Sequence, residues 1–140
     1  MMLTETVSIP PMSSEMIAKV RAIEHLSRKR KQVKIPVHHY LHGGMYVRTV
    51  RIPAGVMITG VHIVIETNLV VNGHAMIHSG VEWVETDGYA VLACAANRKQ
   101  IFVAISDIDL TMFFPTDAKT VKEAEERFTD ESSSLQNRGE

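Results

Sequence analysis

The side chains that most invite a chemical reading are an imidazole and a carboxylate, His62 and Glu66, in the run from Ile52 to Gly73, IPAGVMITGVHIVIETNLVVNG. They stand among β-branched residues and between turns, where a small β-barrel would carry a pocket. On a regular strand both would face one side, but four residues span about 13 Å, too far to share one ion. A shared metal therefore requires a bend, and the intervening Ile63-Val64-Ile65 offers no glycine to make it. Of the other five histidines, His25 falls on the polar side of a predicted helix, and His74 and His78 adjoin turns. His38, His39 and His42 precede Gly43-Gly44 at a strand entry, and each is read as structural. Cys94 sits in the apolar run AVLACAA, which predicts a buried, inert thiol. Trp83 and Tyr89 flank a turn, where cross-strand packing is the expected role and a ligand-stacking patch the alternative.

The elements that must position these groups fall into three parts. Residues 1–34 read as an N-terminal arm followed by an amphipathic helix. The arm has no clear period to Pro10-Pro11, and is either flexible or docked on a neighbour. From about Ser13 to Arg30, Ile17, Val20, Ile23 and Leu26 recur at helical spacing, with Ser13 as N-cap and Met12 and Ile17 as a hydrophobic staple. Arg28-Lys29-Arg30-Lys31 is read as a solvated helix end suited to the dipole, with contact to phosphate or an acidic partner as the alternative. Residues 35–116 read as a β-barrel of about ten short strands between Val37 and Phe114, one of them Val61 to Ile65. Asn72-Gly73 and Asp87-Gly88 are predicted hairpin turns, since both tolerate positive φ. Residues 117–140 read as a short helix opened by the capping-box pair Thr120 and Glu123, packed on the outside of the barrel, and a polar tail from Ser132.

Composition narrows the function classes. With 45% hydrophobic residues, 22% charged residues and a formal net charge of −1, the chain has the make-up of one globular domain and lacks the basic excess of a nucleic-acid binder. A single cysteine excludes an internal disulfide and a cysteine-based zinc site. No apolar run approaches the roughly 18 residues of a membrane span, and no basic-then-apolar signal-peptide pattern opens the sequence. The acidic end, seven Asp or Glu against four Lys or Arg from Asp117 onward, opposes the basic run near Arg30.

The spacing Gly55, six residues, His62, three residues, Glu66, six residues, Gly73 resembles the first motif of the cupin superfamily, in which a His-x-His pair precedes the glutamate. His62 matches the second histidine and Glu66 the glutamate, but Gly60 holds the place of the first histidine and cannot ligate. The second motif, Pro-x-Gly-x-x-His, would fall on Ala95-Ala96-Asn97-Arg98-Lys99-Gln100, where each signature residue is replaced and the last ligand becomes Gln100. More specifically, HYLHGGMYVRTVRIPAG, from His39 to Gly55, is similar to the opening of small cupin-like proteins of bacteriophages. Gly44, Tyr46, Arg48 and the Ile52-to-Gly55 turn match that opening, His62 the following Gly-x-x-His step, and Phe114-Pro115-Thr116 with the acidic helix the ending. The likeness spans roughly residues 38 to 128.

The resemblance implies a mainly β, cupin-like double-stranded β-helix (jelly-roll) barrel with an N-terminal and a short C-terminal helix. It places a degenerate metal site on His62, Glu66 and Gln100, with two capable ligands where a catalytic cupin uses three or four. The preferred reading is a non-enzymatic phage structural or accessory component, virion-associated, with no catalytic residue and no cofactor. It acts as a homo-oligomer and through other virion proteins, in the host cytoplasm or on the particle, without nucleic-acid or membrane partners. The alternative is a metal-dependent isomerase, dioxygenase or sugar-binding sensor holding one divalent transition metal on His62 and Glu66, plus a histidine from His38, His39 or His42. A third reading is a metal-free module for a sugar or peptide.

Overall fold

The computed structural model describes residues 6 to 135. Ten strands and two helices follow in order: β1 (Thr6–Ile9), α1 (Ser14–Ser27), β2 (Val37–His42), β3 (Met45–Ile52), β4 (Met57–Thr59), β5 (Thr67–Asn72), β6 (Ala75–His78), β7 (Trp83–Thr86), β8 (Tyr89–Cys94), β9 (Ile101–Ala104), β10 (Ile108–Pro115) and α2 (Val121–Phe128), with a 3-10 turn at Ser132–Ser134. They form a six-stranded sheet, β1-β8-β5-β10-β3-β2, facing a four-stranded sheet, β4-β9-β6-β7. Among the described residues no helix is long and apolar enough to cross a membrane.

Alternation along the strands fixes the register. In β10, Ile108, Leu110, Met112 and Phe114 are buried while the residues between them are not. A one-residue slip against β3 or β5 would turn that entire set outward. Leu69 and Val71 of β5 and Ala90, Leu92 and Cys94 of β8 complete the same inner face. Ile77, Phe102 and Ala104 meet it from the smaller sheet, in one continuous core.

Several details differ from the sequence reading. The arm supplies a strand: β1 pairs in parallel with β8, Ile9 opposite Cys94, so the sheet's edge is built from the same chain. Residues 1–5 of the arm and the end of the tail, residues 136–140, lie outside the described residues. Asn72-Gly73 and Asp87-Gly88 are not hairpin turns. Each carries the chain from one sheet to the other, and the Gly73 amide donates to the Gly88 carbonyl at 2.7 Å, tying the two corners together. Gly73 has φ +126°, and a Cβ there would lie 2.6 Å from the Asp107 carbonyl oxygen, so no other residue fits this corner. The two-residue hairpin is Gly43-Gly44, with φ of 62° and 76°, between the paired residues His42 and Met45. Val61 to Ile65 is extended without a full ladder, since Ile63 makes isolated bridges to Arg98 and Thr129.

Both helices begin as the sequence predicts. Ser13 accepts from the Met16 amide, and Met12 and Ile17 are buried in one cluster. Thr120 caps α2 by accepting from the Glu123 amide at 3.1 Å. The C-terminal helix, however, enters the core and does not lie on the barrel's outside. Ala124, Glu125 and Phe128 are buried, and Phe128 stacks on Tyr46 at 5.9 Å and meets Phe114 edge-on at 6.0 Å. A thin apolar face suffices because one aromatic ring fills the barrel end.

Candidate functional site

Between the two sheets lies a cavity of about 740 Å3, a volume in the range of small-molecule sites. Its walls are apolar: Val61, Ile63, Leu69, Phe102, Leu110 and Met112 line it, and Phe128 contributes to it from α2. Its entrance passes the C-terminal end of α1 and the following turn, where Leu26, Arg28, Arg30 and Lys31 stand.

Polar side chains interrupt the apolar wall: Thr59, Arg48, which lies 3.5 Å from the Glu125 carboxylate, and the two most deeply buried, Arg98 and Gln100. The last two are on one side of an extended segment that is bonded to the chain opposite: the Gly60 amide donates to the Gln100 carbonyl and the Ile63 amide to the Arg98 carbonyl. Arg98 is 1% exposed and Gln100 4%. The Arg98 guanidinium donates through Nε to Gln100 Oε1 at 3.0 Å, through Nη1 to the carbonyls of Ala95 at 2.6 Å and Ile65 at 3.3 Å, and through Nη2 to Thr67 Oγ1. All four acceptors are neutral. Burial pulls this guanidinium below its ordinary pKa, opposed by the nearby Cys94 sulfur, yet arginine stays charged at any ordinary pH. Because Arg98 Nε fixes which end of the Gln100 amide is oxygen, the Nε2 donor is the other end, and it is buried with no hydrogen-bond partner.

Lys99, between them, points the other way, as the period of two requires. Its ammonium is fully buried and lies 3.2 Å from Glu24 Oε2 of α1 and 2.8 Å from Glu131 Oε1. Glu131 also accepts from Arg21 at 3.0 Å and from the His62 amide at 3.0 Å. Burial raises the Glu131 pKa, but the Lys99 hydrogen bond, the His62 amide and Arg21 outweigh it and hold the carboxyl at about 2. This network clamps α1 and the C-terminal segment onto the barrel beside the cavity entrance.

The three residues expected to form a metal site have three different surroundings. His62, flanked by cavity-lining Val61 and Ile63, turns its Nδ1 to the Asp130 carboxylate at 3.1 Å, and its Nε2 is buried without a partner. Glu66 is exposed. Gln100 has its only good metal-ligating atom, Oε1, taken by Arg98. Among the described residues no three His, Cys, Asp or Glu side chains converge as an ion site. The fixed guanidinium beside Gln100 further disfavours a dication, so this donor set does not fit a cupin metal. The histidines proposed as additional ligands also have other duties. His39 Nδ1 bonds the buried Tyr46 hydroxyl at 2.8 Å, under α2, where burial, Arg48 and His38 lower its pKa. His38 and His42 are exposed.

Other expectations resolve simply. His74 pairs with Glu85 at 2.6 Å. Trp83 packs edge-on against His78, its cross-strand neighbour, at 5.0 Å. Cys94 is buried, and burial pushes its thiol pKa up, as for an inert side chain. The residues that sequence reasoning passed over are Arg98 and Lys99. The available signal was two consecutive cations in an otherwise apolar stretch, on the segment aligned to the second cupin motif.

No family model and no curated protein matches this sequence. Solved structures do. A cupin superfamily protein from Desulfitobacterium hafniense DCB-2 is similar with a TM-score of 0.51 at 10% identity, covering 66% of this chain and 88% of that one. Ectoine synthase from P. lautus is similar with a TM-score of 0.53 at 16% identity, covering 71% and 76%. One of these neighbours is an enzyme and the other is described by its superfamily alone, and at such identities the likeness concerns the fold. Two facing sheets in jelly-roll arrangement, an N-terminal helix and a short C-terminal helix give this chain the cupin fold.

Proposed function

We propose that this chain is a non-enzymatic cupin-fold protein, a barrel that binds and assembles without a resident metal. The observation that carries this reading is the fate of the motif positions. Gly60 has no side chain to offer, His62 faces Asp130, Glu66 is exposed, and Gln100 is engaged by a buried guanidinium. Catalytic cupins need three or four donors around one point.

The narrower role is a phage-encoded structural or accessory component, virion-associated or free in the host cytoplasm, working as a homo-oligomer and through other virion proteins. Its support is the sequence likeness of residues 38 to 128, together with the opposite charge of the two chain ends. Exposed Tyr40 on the edge strand β2 adds a side chain of the type enriched at interfaces.

Elemental analysis of protein expressed with iron, manganese, zinc and nickel, beside His62→Ala, tests the reading, with light scattering on the same samples for oligomeric state. Absence of stoichiometric metal in both proteins is the expected result. Near-stoichiometric metal that disappears in His62→Ala overturns it and installs a metal-dependent isomerase, dioxygenase or sugar-binding sensor. A monomer at all concentrations removes the homo-oligomer.

A further inference from the structure

Among the described residues, one buried cation has no carboxylate as a hydrogen-bond partner. Arg98 is buried, and its hydrogen-bond acceptors are two backbone carbonyls, an amide oxygen and a hydroxyl. Lys99, the next residue, shows the contrast: it is equally buried but sits between two carboxylates. A buried charge without a counter-charge is costly, and a buried donor without an acceptor adds to that cost. Gln100 Nε2 is such a donor, and Arg98 and Gln100 both line the same cavity.

We infer that the barrel cavity is a binding site for a small organic carboxylate with an apolar body, its head received by Arg98 and Gln100. The inference rests on the reading of the barrel as a metal-free binding module, and it names the class of ligand. Nη2 of Arg98 bonds Thr67 through one N–H and has a second, so the site offers that N–H and the Gln100 amide N–H to two oxygens. Two donors and one positive charge match a monoanionic carboxylate. A phosphate dianion would bring more charge and more acceptor oxygens than they satisfy. Much of the wall is hydrocarbon and aromatic surface from Leu69, Phe102, Leu110, Met112 and Phe128, which suits an alkyl or aryl body better than the many hydroxyls of a sugar. At the entrance, Arg30 and Lys31 stand beside Arg28, which Glu24 offsets at 3.6 Å, and leave the rim with a positive balance that raises the local concentration of anions. The basic run thus acquires a role beyond that of a solvated helix end.

The test is calorimetric titration and thermal shift of the full chain in EDTA with octanoate and 3-phenylpropanoate, beside their methyl esters, octylamine and inorganic phosphate. Saturable binding of at least one carboxylate is expected, with at least about tenfold weaker binding of its ester and of phosphate. Gln100→Glu is the decisive variant. It is nearly isosteric and supplies Arg98 with an internal carboxylate, so it keeps the fold by circular dichroism and weakens carboxylate binding at least about tenfold. Arg98→Met gives a second measurement where it folds. Equal binding of acid and ester, preference for phosphate, undiminished binding in Gln100→Glu, or no carboxylate binding by a metal-free wild type each overturns the inference. The last outcome leaves the non-enzymatic reading standing. Binding that requires a metal and vanishes in EDTA overturns both.

Discussion

At the scale of single residues, Arg98, Lys99 and Gln100 give the interior its polarity, and adjacent positions face opposite ways. Lys99 is the one whose energetics can be isolated. Replacing it with Met leaves Glu24 and Glu131 side by side without their shared cation, with only Arg28 and Arg21 to offset them. Removing one partner of a fully buried pair costs about 3–5 kcal/mol, and partial exposure of both carboxylates places Lys99→Met at the lower edge, about 2–3 kcal/mol. Urea unfolding measures it, and a change below about 0.5 kcal/mol would mean that the network contributes nothing net. The sequence displayed both cations but could not say that they were buried. A basic dipeptide outside a long amphipathic stripe is ordinarily solvated, and only the pairing partners Glu24 and Glu131, distant in sequence, make burial of Lys99 tolerable.

At the scale of elements, the caps and the strand alternation are local properties and were readable. Ser13, Thr120 and the inward set Ile108, Leu110, Met112 and Phe114 stand where pattern and propensity put them. The placement of α2 was not readable, because a helix with three apolar residues can lie on a surface or plug an end with equal local energy. Phe128, 1% exposed and stacked on Tyr46, decides it. Phe128→Ala is expected to cost about 3–5 kcal/mol, the range for a buried aromatic, and to enlarge the cavity at that end. A loss under about 1 kcal/mol in chemical denaturation would return α2 to the exterior. The two corner glycine pairs teach the same lesson. Positive φ at Gly73 and Gly88 was predictable, yet whether the chain reverses within a sheet or crosses to the other depends on what each following strand can pair with.

At the scale of the whole molecule, Glu131 joins three separate regions: α1 through Arg21, the cavity segment through Lys99, and the His62 backbone. Its carboxyl is held at about 2, below an ordinary value near 4.5, so folding favours the ionised form. The stabilisation is therefore complete above about pH 4.5 and is lost as pH falls towards about 2. Melting temperatures of the wild type and Glu131→Gln across this range should converge at the acid end, the wild type losing more. Parallel curves would show that the carboxyl is not coupled to folding. The size of the domain, its β-rich barrel with two helices, the caps and the inward alternation are legible in the chain alone, because these follow from composition and from neighbours a few residues apart. So is the incompleteness of the cupin-like motif, since Gly60 carries no side chain. That β1 closes a sheet edge, that His62 turns to Asp130, and that Arg98 and Gln100 line the cavity between the sheets emerge with the folded structure. Each of those outcomes is a choice among partners distant in the chain, made by burial and charge compensation, which no local pattern encodes.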